Sequence, residues 1–123
     1  MALAVKEARD LIKNAKIKDV DEVYAINIPP EQTATNKTIV LVTDASTDPA
    51  LYGSNDFNAL HRRVEVQVFY SDTLDVDAEL VDVKLYRTFI KSGWDLGQNY
   101  GHTFDPDTGQ LTTTFYVSNL EIL

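Results

Sequence analysis

Apolar and polar residues follow two rhythms along this chain, one of about four positions and one of two. In residues 3–15, LAVKEARDLIKNA, the residues Leu3, Ala4, Ala8, Leu11, Ile12 and Ala15 fall at helical spacing, and Lys6, Glu7, Arg9, Asp10 and Lys13 take the other side. This spacing predicts an amphipathic helix ending near residues 14–16. In DEVYAINIPP, Tyr24, Ile26 and Ile28 alternate with Val23, Ala25 and Asn27 as in a strand, and Pro29 and Pro30 stop it because neither can donate to a ladder. EQTATNK is a polar connector. TIVLVTDA is β-branched and nearly continuous, which predicts a strand buried on both faces or paired centrally. Residues 44–60, DASTDPALYGSNDFNAL, carry Pro49, Gly53, Asn55 and Asn58 and predict a long irregular loop. A loop of that length in a compact domain is usually functional or disordered.

The clearest period of two follows. Val64, Val66, Val68 and Tyr70 share one face, and Arg63, Glu65, Gln67 and Phe69 share the other. SDTLD turns the chain. Asp75 is the expected N-cap of a helix running to Lys91, with Asp77 and Glu79 in its first turn, where the helix dipole favours negative charge. Its apolar side is read as Leu80, Val83 and Ile90, with Val81, Leu85 and Phe89 beside them, giving an inward face that is wholly apolar. Gly93 is the C-terminal stop. Residues 94–104 and 110–118 flank DPDTG, strong turn chemistry, and predict a hairpin whose second strand sets Phe115 and Val117 against Thr114 and Tyr116. NLEIL extends that strand. The order helix, strand, strand, strand, helix, strand, strand predicts an α+β fold: an antiparallel sheet of about four to five strands with two helices packed on one face. Residues 1–123 form a single domain with a long loop at about 44–60.

Composition narrows the function classes. The chain has 123 residues and a net charge of −8, which argues against broad adhesion to nucleic acid or anionic lipid. No apolar run approaches the roughly 18 residues of a membrane span. The charged residues among 1–13 break the apolar core that a signal peptide needs, so cytoplasmic synthesis is expected. Cysteine is absent, which removes disulfides, thiolate chemistry and cysteine metal sites.

Candidate chemistry is sparse. His61 and His102 lack the i, i+4 partner of a zinc motif, and either reads as a surface or turn residue unless carboxylates gather around it. DPDTG begins like a calcium loop, but no glutamate follows at the required place, so a turn is the better reading. The serines lack a nucleophile elbow, and GQNYG is neither a phosphate loop nor a dinucleotide fingerprint. No catalytic, cofactor or metal residue is assigned, and an enzyme is not expected. HRR, His61 to Arg63, is the one compact basic cluster; it reads either as a contact to a phosphate or an acidic partner surface, or as an edge-strand start protected by charge. Tyr52, Phe57, Trp94 and Tyr100 lie in loop-like segments, and aromatics there suit protein interfaces unless the loops bury them.

The opening helix, RRVEVQVFYS, DVDAELVDVKLYRTFIKSGWDL and DPDTGQLTTTFYVSNLEIL together resemble the tail terminator, or tail completion, proteins of long-tailed bacteriophages. The resemblance covers most of the chain as a pattern. It implies a ring homo-oligomer, commonly a hexamer, at the head-proximal end of the virion tail. The ring would cap the tube formed by the major tail protein, stop its polymerisation and join the head–tail connector, while DNA passes through the lumen without specific binding. The family has no short motif that assigns contact residues. From the residues themselves, Tyr52, Asn55, Phe57, Arg62 and Arg63 are expected at or near an interface. A head–tail connector or stopper is the nearest alternative. A small ligand-binding α+β domain, with a cleft near His102 and Asp105, is the alternative from another class.

Overall fold

A computed structural model describes residues 3–29 and 35–123. The expected order of elements is present: α1 (Ala4–Ala15), β1 (Glu22–Ala25), β2 (Ile39–Gly53), β3 (Asp56–Phe69), α2 (Ala78–Lys91), β4 (Asp95–Phe104) and β5 (Leu111–Ile122). The fold is α+β, with one five-stranded sheet in the order β1-β2-β3-β5-β4. The sheet is mostly antiparallel, but β1 runs parallel to β2, pairing Glu22 with Ile39 through Ala25 with Val42. Parallel neighbours need a connection that carries the chain back to its starting end. The chain between β1 and β2 supplies one, where a tight turn would have forced an antiparallel pair. Pro30 and residues 31–34 of the expected stop and connector lie outside the described residues.

Both helices cover one face of the sheet. Val5, Ala8 and Ile12 of α1 and Val81, Leu85 and Phe89 of α2 close over Val40, Val42, Val64, Val66, Val68, Phe115 and Val117. Valine dominates the strand side because a β-branched side chain packs well on a pleated surface. Edge-to-face ring pairs fill the seams, Tyr86 with Phe115 at 4.9 Å and Phe89 with Trp94 at 5.5 Å.

Helix α2 departs from expectation at its start and on its surface. Its cap is Asp77, whose carboxylate accepts from the Glu79 N–H at 3.0 Å, and not Asp75. Leu74 and Val76 pack against the core ahead of the helix, which therefore starts later. Leu80, Val83 and Ile90 are exposed. Apolar residues occupy more of this helix than one stripe, and a helix lying on a sheet buries only one. The 81–85–89 stripe takes that place.

The largest correction concerns residues 44–60, which form no loop. They are the outer arms of β2 and β3, paired from Ser46–Arg63 to Gly53–Asp56 beyond a bulge at residues 44–46. Ser54 and Asn55 make the turn with φ of 51° and 62°, the left-handed pair that a two-residue hairpin turn requires. Pro49 is tolerated because β1 stops at Ala25, so β2 beyond Val42 is an edge strand where a missing N–H breaks no ladder.

Candidate functional site

The outer part of this hairpin, residues 47–61, is joined on one side by the end of β5, with Leu60 opposite Glu121 and Ala59 opposite Ile122. The Leu123 N–H donates to the Asn58 carbonyl and closes the third strand. Arg62 faces the helices, two residues before Val64, so His61, Ala59 and Phe57 face away from them. Cross-strand partners share a face. The helix-free side of this arm therefore carries Tyr52 beside Phe57, then Ala50, Ala59 and Ile122, then Asp48, His61 and Leu120. Tyr52 is 74% exposed and Ile122 63%, while Ala59 between them is buried and Ala50 and Phe57 are half-buried, so the apolar surface is open to solvent at its rim.

The five expected interface residues divide. Tyr52 and Phe57 come together on the bare face, and Asn55 sits in the turn at the tip. Arg63 lies on the same side of the sheet nearer its middle, its guanidinium carbon 4.2 Å from the centre of the Tyr116 ring. Arg62 is different. It is 4% exposed, and its guanidinium is held by Glu7 of α1 at 2.5 Å, Glu121 of β5 at 3.6 Å and Asn119 at 3.1 Å. It ties three elements together inside the subunit and offers nothing to a partner. The edge-strand reading of HRR is also corrected, since β3 lies between β2 and β5.

A second group of polar residues was not expected. Asp82 sits on the inward face of α2, which is therefore not wholly apolar, and is 3% exposed. The Tyr70 hydroxyl at the end of β3 donates to one Asp82 oxygen, and His102 Nε2 of β4 lies 2.8 Å from the other. The Tyr70 hydroxyl and His102 Nε2 are 3.4 Å apart. Burial, with the hydrogen bond and charge of Asp82 behind it, pushes the Tyr70 hydroxyl far above the ordinary phenol range. Burial likewise raises Tyr86, which takes a hydrogen bond from the Asn99 amide of β4. A groove of about 320 Å³ between α2 and β4 opens beside this cluster, lined among others by Glu79, Val83 and Tyr86. The tyrosine keeps its proton and both carboxylate oxygens are engaged, so the cluster is built to hold β4 against α2. The available signal was Asp82 itself, an acid on the same helical face as Ala78, Leu85 and Phe89.

Asp105 lies in the turn between β4 and β5, where its carbonyl accepts from the Gly109 N–H at 2.8 Å, so DPDTG is the turn expected. Among the described residues no group of acidic and histidine side chains is arranged to hold a metal ion, and no helix is long and apolar enough to cross a membrane.

The arrangement is that of a small α+β domain with a bare, ordered arm and a pinned edge strand. The chain belongs to the DUF806 family, described as a protein of unknown function, whose family model matches residues 3–121. No curated protein matches it.

Proposed function

We propose that this protein is a structural assembly protein, a tail terminator that caps the tail tube of a long-tailed bacteriophage as a ring and joins it to the head connector. The observation that carries this reading is the arm: an ordered hairpin running past the helix layer, with Tyr52, Leu120 and Ile122 exposed on its helix-free face. Exposed apolar surface of this kind marks a protein contact. The sheet also ends in unlike edges, the short β1 on one side and the long, solvent-facing β4 on the other. A head-to-tail ring needs two different surfaces on each copy. Excess negative charge would keep free copies apart until a tube end recruits them, and a lumen lined by it would let DNA slide without adhering.

The test adds the purified protein to polymerising tube protein under electron microscopy. Capped tubes of bounded length are expected; tubes that keep growing with no cap overturn the proposal. A head–tail connector would instead leave tube growth unchanged and bind the portal side. The groove beside His102 favours a third reading, a ligand-binding domain, because it reaches the lower end of the roughly 300–1,000 Å³ of small-molecule sites. Ordered small-molecule density there, in a protein that ignores tubes, would select it.

A further inference from the structure

Among the described residues, two of the exposed apolar patches lie on opposite sides of the subunit. The first is the helix-free face of the arm, where Tyr52 of β2 and Leu120 and Ile122 of β5 are exposed on either side of β3. Asp48 lies on this face and is in no ion pair among the described residues, with Arg63 stacked on Tyr116 nearer the middle of the sheet. The second is the outward side of α2. Leu80, Val83, Arg87 and Ile90 recur there at intervals of three, four and three, which sets them in one row along the helix. Arg87 and Lys91 bring positive charge to its C-terminal part and Glu79 a negative charge at its start, and neither Arg87 nor Lys91 is in an ion pair among the described residues.

We infer that these patches are the two halves of one contact between copies: the arm of one subunit lies along the outward face of α2 of the next. Three observations favour a second copy as the occupant. One pair of charges is complementary, Asp48 on the arm and Arg87 in the helical row. The lengths agree, since the helical row from Leu80 to Ile90 runs about 15 Å and the strand rows from Asp48 to Tyr52 run about 14 Å. The arm's face also points away from the helices, so a subunit cannot satisfy its own α2 with its own arm. Because the two patches differ, each copy can give and receive, and repetition closes a ring where the rotation allows. The inference rests on the ring reading proposed above and names its surfaces.

The test uses two variants at exposed positions, Tyr52→Asp on the arm and Val83→Asp on the helix, each checked for folding by circular dichroism; Tyr52→Ser and Val83→Ser replace them if an aspartate disturbs the fold. Sedimentation of the unaltered protein from micromolar to millimolar concentration, at low salt, should show self-association. Either variant should weaken it at least tenfold, and salt should weaken it too. An equimolar mixture of the two variants should recover dimers and nothing larger, because only one intact contact can form between them. A strict monomer at millimolar concentration, variants that associate normally, or a mixture that recovers no dimer would overturn the contact. Normal capping of tubes by both variants would sink this contact and spare the terminator reading. The expected association in a protein that never caps tubes would do the reverse.

Discussion

Strands β2 and β3 live two lives. In the half from Ile39 to Thr43 and Val64 to Phe69 they run beneath two helices, and their inward side chains are buried valines. In the outer half the same two strands continue past the helix layer, stay paired apart from a bulge at residues 44–46 and a break at Leu51, and present Tyr52 to open space with Ala50 and Phe57 half-exposed beside it. Both halves keep an antiparallel ladder. What differs is cover, so pairing alone decides order while cover decides whether an apolar side chain supports the fold or awaits a partner.

That contrast can be broken most sharply by truncating one aromatic in each half. Phe115→Ala, in the covered half, should lower stability by about 3–5 kcal/mol in denaturant unfolding, whereas Tyr52→Ala should stay within about 0.5 kcal/mol. Equal losses would mean that the arm is packed within the subunit after all. Next in size, Asp82→Ala should lower stability by about 1–3 kcal/mol, because it leaves the buried Tyr70 hydroxyl without its acceptor. Exchange of the β4 amides should quicken in that variant.

The same cluster gives the covered half a dependence on alkaline pH. Folding raises the Tyr70 phenol above its ordinary value of 10.0. The unfolded chain therefore ionises first, and the stabilisation is complete below that value and lost as pH climbs above it, at about 1.4 kcal/mol per pH unit for one group. Urea midpoints between about pH 9 and 11 should fall more gently in Tyr70→Phe than in the unaltered protein. The smallest effect lies where the two halves meet. At the end of β1 the Asn27 N–H reaches back to the Ala25 carbonyl at 2.9 Å around Ile26, whose φ is 77°. A β-branched residue is strained there, and its side chain is exposed. Ile26→Gly should raise stability by about 0.5–1 kcal/mol, seen as a small rise in Tm.

The covered half was legible in the sequence because its periods are unmixed. Val64 to Tyr70 alternates cleanly, α1 shows one stripe, and DPDTG is the turn it promises. The arm was not, for a positional reason. Pro49, Gly53 and Asn55 each read as breakers, yet Pro49 falls on an edge and the other two fall at the turn, the places where a strand tolerates them. Helix α2 misled because it carries more apolar residues than it can bury, and only the sheet beneath selects the stripe. Arg62 gave no local sign of its role, since Glu7, Asn119 and Glu121 reach it from distant parts of the chain. Nor does anything local state that β1 runs parallel to β2. Asp82 was legible, because a single acid in an apolar stripe asks for a buried partner.

The continuity of the arm with the middle of the sheet has a mechanical consequence. A pull on the tip along the strand direction reaches β3, which is bonded to β5 from Ala59 to Phe69. Such a pull loads that ladder in shear, so many hydrogen bonds must stretch together before any one fails. A flexible loop grafted on the rim would extend like a slack tether and transmit nothing. A subunit whose handle is also its central beam bears tension stiffly, and its lifetime under load is set by the rate of unfolding more than by the free energy of folding.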